Sequence, residues 1–168
     1  MHSDIARDQH SQIRLGCQSL AVRTDRRGLE VLGVRTTYRE GIILPGGAAH
    51  PGELVHVAAA RELREETGLV RTIRHYFITD LVDANADTGS PRGINYVCDA
   101  GELLGAEAAA LSIPPSALGE VAELVWMLPV ELPQHCAPFM VLRIQKALAA
   151  RSAGIRNELL HYGEPVAA

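Results

Sequence analysis

Lysine is nearly missing from this chain of 168 residues: Lys146 stands alone, and every other basic side chain is an arginine or a histidine. Lys146 follows Gln145 and not a glycine-rich turn, so no P-loop can be built on it. Cysteine is scarce. Cys17, Cys98 and Cys136 are odd in number, widely spaced and without a Cys-x-x-Cys pair, which excludes a disulfide scaffold and a cysteine-based zinc site and fits reduced, packed thiols. His50 and His56 lack His-Glu-x-x-His spacing, and loop or surface positions suit them better than zinc ligation. Thr88-Gly89-Ser90-Pro91 is in the wrong order for a nucleophile elbow. Aromatics make up only 4% of the chain, so Trp126 is expected to pack against the sheet. Tyr76, Phe77 and Tyr96 divide between the core and stacking on a base.

Long apolar runs are also absent, so no membrane span is expected, and Met1 to Gln12 carries Asp4, Arg7 and Asp8 where a secretory leader needs an apolar core. A cytoplasmic location is the expectation. The basic residues form no stripe: Arg26-Arg27 and Arg71 with Arg74 are pairs, and 16 basic groups against 20 acidic ones leave a net charge of −4. A nucleic-acid polymer is therefore not an expected partner, while small nucleotides stay open.

What is present is an ordinary globular composition, 47% apolar and 21% charged, long enough for one core. A single domain over 1–168 is expected, with residues 1–12 and 152–168 as loosely attached termini. Ile13, Leu15 and Cys17 alternate with Arg14 and Gln18, and after the charged stretch from Arg23 to Gly28 comes Leu29 to Val34, which predicts a hairpin. Ile42 to Leu44 runs into Pro45-Gly46-Gly47, which must end a strand. Glu53 to Thr67, fifteen residues without glycine or proline between Gly52 and Gly68, predicts a helix. Strands are expected at Ile73 to Val82, around Ile94 to Cys98, and at Val121 to Leu128, with a polar loop from Asp83 to Gly93. A short helix through Glu102 to Leu111 and a second long one from Pro138 to Arg151 follow, and Ser152 to Ala168 suggests a helical turn and a loose tail. Such an order implies an α/β fold, a mixed sheet covered by helices on its faces.

Chemistry concentrates between Gly47 and Leu69. At about 100° per residue, Glu62, Glu65 and Glu66 fall within an arc of about 100° on one helix face. Taken alone, an acidic run is usually a solvated face, especially with Arg61 and Arg64 beside it. The same carboxylates could hold a hard cation, because Mg²⁺ takes oxygen ligands and shares them with water and phosphates. Pro45, Gly46 and Gly47 let the backbone turn tightly and approach a ligand, and Glu53 falls in the predicted first helical turn, where the dipole favours an acid.

Gly47, then Glu53, Arg61-Glu62-Leu63, Glu65-Glu66 and Gly68-Leu69 fill every specified position of a pattern that resembles the box of the Nudix hydrolase family. The resemblance covers 23 residues and implies a Nudix-type α/β/α sandwich. It implies a MutT-like hydrolase acting on a nucleoside diphosphate linked to another moiety, with Mg²⁺ as cofactor and Mn²⁺ as substitute. On this chain it gives Glu62, Glu65, Glu66 and the carbonyl of Gly46 as metal ligands, Arg61 as the residue that orients catalytic acids, and Glu53 as a supporting acid. An Arg61–Glu65 pair is sterically allowed by their four-residue spacing. For the general base, Glu62 or Glu66 comes first; Glu102, Glu107, Glu120 and Glu123 are alternatives for which an ordinary surface acid is the simpler reading.

Substrate signatures outside the box are few. Ala84, Asn85 and Ala86 stand where many ADP-ribose hydrolases of the family place a proline, no tyrosine there suggests dinucleoside polyphosphates, and the coenzyme A pyrophosphatase motif is missing. A nucleoside triphosphate or a nucleotide sugar such as ADP-ribose ranks first. A non-catalytic nucleotide-sensing domain is the alternative, although such domains often lose box carboxylates, and all are kept here. An isopentenyl-diphosphate isomerase relative would need a catalytic cysteine that spacing does not support. A homodimer stays open.

Overall fold

The computed structural model describes residues 12–87, 89–158, 160–161 and 164–165. Its main sheet follows the order β3-β2-β1-β6-β5-β8, with β4 also on β1 and β7 also on β2. The strands are β1 (Arg14–Asp25), β2 (Gly28–Thr36), β3 (Ile42–Ile43), β4 (Gly46–Ala48), β5 (His75–Val82), β6 (Gly93–Glu102), β7 (Val121–Met127) and β8 (Asn157–Glu158). The sheet is mixed, because β1 and β6 run parallel while the other pairs are antiparallel. Helix α1 (Val55–Thr67) follows β4; α2 (Gly105–Ala110) and a 3-10 turn (Pro115–Ala117) precede β7; α3 (Leu132–His135) and α4 (Pro138–Ser152) come after it. Two short strands, β9 (Leu160–His161) and β10 (Glu164–Pro165), pair with each other.

Residues of β1 point alternately to the two faces, and both faces are covered. Cys17 and Ala21 join Ala58, Ala59 and Leu63 of α1 in one apolar cluster. Leu20 and Val22 join Met140, Val141, Ile144 and Ala147 of α4 in the other. The result is the α/β/α sandwich expected from the sequence. Double burial also corrects a detail: Gln18, placed by the alternation on a polar face, is buried because α4 lies over it.

The hairpin is present, closed at Asp25 and Gly28, with Asp25 Oδ1 accepting the Arg27 N–H at 2.7 Å. Helix α1 starts two residues later than the composition suggested. Glu53 N–H donates to the His50 carbonyl and Glu53 Oε2 accepts the His50 N–H, each at 2.9 Å, so Glu53 closes a turn ahead of the helix and no acid lies in its first turn. The helix expected over Glu102 to Leu111 shrinks to α2, because β6 continues to Glu102 beside Val22. The C-terminal segment corrects the expected helical turn and loose tail in part: Asn157 and Glu158 pair with Tyr76 and His75 and add an edge strand to β5. Residues 1–11 of the expected loose N-terminus lie outside the described residues. No helix among the described residues is long and apolar enough to cross a membrane.

Candidate active site

The loop between β3 and α1 is fastened to β1 on alternate residues. Ser19 N–H donates to the Pro45 carbonyl at 2.8 Å, and Ala49 N–H to the Leu15 carbonyl at 2.9 Å, with Cys17 opposite Gly47 between them. Gly46 therefore falls between ladder bonds, and its amide and carbonyl are left for other partners. Its N–H goes to Glu66 Oε2 at 2.8 Å. With φ at 147°, and with an added Cβ lying 2.7 Å from Gln18 Cα, position 46 admits glycine alone. At Gly47 a Cβ would lie 2.7 Å from Glu62 Cδ, so the second glycine is the space the Glu62 carboxylate occupies.

Arg61 is the hub of the charges. Its Nε donates to Glu53 Oε1 at 2.8 Å and its Nη2 to Glu53 Oε2 at 2.9 Å, a bidentate pair. Nη1 reaches Glu62 Oε1 at 2.8 Å and Glu65 Oε2 at 3.1 Å, and Nη2 also meets the Ala48 carbonyl at 3.2 Å. The Arg61–Glu65 pair anticipated from helical spacing is thus present, but Glu53 takes two of the donors. The Arg61 hydrogen bonds, followed by the His50 N–H, hold the Glu53 carboxyl down at about 2. Its ionised form is permanent at any physiological pH.

Glu66 behaves in the opposite way. Burial pushes its carboxyl up to about 7, against the Gly46 N–H, and the charges of Glu62, Glu120 and Glu65 push in the same direction as burial. Of the four alternative bases, Glu120 is the one whose charge bears on Glu66. Glu102 is held by Thr24 at 2.8 Å and Arg151 at 2.9 Å, Glu107 by Arg71 at 2.5 Å and Glu123 by Arg35 at 3.1 Å.

Among the described residues no three acidic, histidine or cysteine side chains converge into a ready metal-binding group. Arg61 Nη1 lies between Glu62 and Glu65, which explains why these two carboxylates face the guanidinium. The donor set nevertheless fits a hard cation: Glu62, Glu65 and Glu66 offer only oxygen, and Gly46 has a carbonyl outside the ladder.

Groups outside the loop and helix have structural explanations. Burial pushes the thiols of Cys17 and Cys136 up to about 11 and that of Cys98 up further, which removes them as nucleophiles. His50 is exposed beside Glu53. Phe77 is buried in the α4-side core, Tyr76 and Tyr96 meet edge to face at 5.2 Å, and Trp126 lies under the Arg23 guanidinium at 4.4 Å. A polar cluster that the sequence did not mark, Arg143 with Gln18 and Asp80, lies behind the loop on the α4 face. Its available signal was an arginine on the apolar stripe between Met140 and Ala147.

A family model for the NUDIX domain matches residues 19–143. The chain belongs to the NUDIX family. Solved structures share the fold. A MutT protein from Methanosarcina mazei Go1 is 18% identical with a TM-score of 0.63, covering 86% of this chain and 97% of its own. The NUDIX domain of Shewanella oneidensis NrtR, complexed with ADP ribose, is 17% identical at a TM-score of 0.66, covering 87% and 93%. An Ap4A hydrolase from C. elegans is 19% identical at 0.63, covering 84% and 99%. A comparison with curated proteins finds no match. Membership of the NUDIX family supports a hydrolase acting on phosphate anhydrides.

Proposed function

We propose that this NUDIX protein is a Mg²⁺-dependent cytoplasmic pyrophosphohydrolase that cleaves the diphosphate linkage of a small nucleotide, either a nucleoside triphosphate or a nucleotide sugar such as ADP-ribose. The observation that carries this reading is the hydrogen bond from the Gly46 N–H to Glu66 one helical turn from Glu62, with Glu62 and Glu65 both held by Arg61 and Arg61 itself braced by the bidentate pair with Glu53. Glu62, Glu65, Glu66 and the Gly46 carbonyl would hold the cation, with Mn²⁺ as a substitute. When bound, it would neutralise the diphosphate oxygens and acidify the attacking water.

The protein's own residues divide the remaining work. Glu53, ionised throughout, keeps Arg61 aimed at the helix face, and Arg61 orients Glu62 and Glu65. Glu62 or Glu66 is the first choice for the base that takes the proton of the water. Glu120 is the loop acid next in line.

The second reading is a nucleotide sensor without turnover; the NUDIX domain of NrtR, similar in fold, is solved with ADP ribose bound. Incubation of the protein with a panel of nucleotides in Mg²⁺ or in chelator separates the two. Metal-dependent release of a nucleoside monophosphate supports the hydrolase, and tight binding without product supports the sensor. In the same assay Glu62→Gln and Glu66→Gln are expected to lower turnover by about 10²-fold or more while the fold persists.

A further inference from the structure

Arg143 is 7% exposed, on the face of α4 that packs against the sheet. A buried guanidinium is tolerated only when its donors are met. Nε and Nη2 donate to Asp80 Oδ2 of β5 at 2.8 and 2.5 Å, and Nη1 donates to Gln18 Oε1 of β1 at 2.7 Å. The Phe139 ring, one turn earlier on α4, lies 5.4 Å from the guanidinium carbon. One side chain thus ties α4, β5 and β1 together.

Its point of attachment on β1 is informative. Gln18 is the strand partner of Gly46, and the backbone of Gly46 approaches Gln18 so closely that an added Cβ would lie 2.7 Å from Gln18 Cα. Next along β1, Ser19 N–H holds the Pro45 carbonyl at 2.8 Å. Whatever fixes Gln18 against the helix layer therefore fixes the floor on which Gly46 rests, and Gly46 in turn holds Glu66 through its N–H.

We propose that Arg143 is a positioning residue for the Gly46 loop: through Gln18 it sets where the Gly46 carbonyl and the Glu66 carboxylate stand. Its own contacts are to Asp80, Gln18 and Phe139, so it acts on the loop through Gln18. The assignment rests on the hydrolase reading for its purpose but not for its geometry. Charge neutrality is supplied locally by Asp80, whose side chain is 38% exposed, so the clamp can be cut at Gln18 without leaving the arginine unpaired.

The test uses the full chain in two variants, Arg143→Met and Gln18→Leu. Hydrogen exchange of the metal-free protein reads the loop directly. Both variants are expected to lose about tenfold or more of the protection of the Gly46 and Gly47 amides, while the Ala58 to Leu63 amides of α1 stay protected. Mn²⁺ binding, followed without substrate, should weaken about tenfold, and kcat should fall by roughly 10- to 100-fold with KM for the nucleotide little changed. Gln18→Leu keeps the Arg143–Asp80 pair and so serves if Arg143→Met does not fold. Unchanged loop exchange in Gln18→Leu, or a loss of protection spread evenly over the protein, overturns the assignment. Lost loop protection together with no Mn²⁺ binding by the unaltered protein overturns the hydrolase reading and with it the purpose given to the clamp.

Discussion

Gly47 and Glu62 occupy one another's space: the glycine has no side chain where the carboxylate lies. Gly47→Ala should therefore displace Glu62, lowering turnover by on the order of 10²-fold with only a small change in unfolding free energy, which parallel kinetics and urea titration will show. Glu66 gives a pH signature in the metal-free protein. Its folded value of about 7 exceeds the ordinary 4.5 of an unfolded chain, so its contribution to stability is complete below about 4.5 and is lost as the pH rises through about 7. Melting temperatures in chelator should fall across that window in the unaltered protein and fall less in Glu66→Gln. Saturating Mg²⁺ should flatten the slope, because a cation favours the ionised form. At this scale the sequence was informative about identity and less so about partners. The glutamates and Arg61 could be named from their spacing, yet the bidentate embrace of Arg61 by Glu53 depends on a turn at His50 that places Glu53 ahead of the helix.

Among the elements, α1 carries the candidate site and its ends decide its seat. Gly68 closes it with φ at 73° and its N–H on the Arg64 carbonyl at 2.9 Å. An alanine there must adopt the left-handed region and bring its Cβ to 3.3 Å from the Ser112 carbonyl oxygen. Gly68→Ala should cost about 1–2 kcal/mol in a denaturant titration, with turnover at low temperature close to that of the unaltered protein. The long elements were legible because their periods are unambiguous: thirteen residues of α1 and fifteen of α4 follow the helical stripe. Short ones were not. Strand β4 is three residues of glycine and alanine with no side-chain period to read, and β8 is two residues whose pairing with β5 is a tertiary choice.

Across the whole molecule, two apolar layers close over one mixed sheet, and the consequence is that its thiols are sealed. Cys17 and Cys98 are wholly buried and Cys136 nearly so. Under native conditions a thiol reagent should modify all three at the slow rate of structural opening, and at once in denaturant; a cysteine reacting rapidly in the native state would contradict the sealed core and reopen the nucleophile reading. The sandwich itself could be anticipated from the order of strands and helices, whereas the Arg143–Gln18–Asp80 clamp joins residues far apart in the chain and could not. The most direct measurement on the molecule is anomalous diffraction from a crystal soaked with Mn²⁺ and a non-hydrolysable nucleotide. A peak bounded by Glu62, Glu65, Glu66 and the Gly46 carbonyl is expected, with the diphosphate beside it; a nucleotide bound with no metal among those oxygens, or a metal seated elsewhere, would contradict the hydrolase assignment.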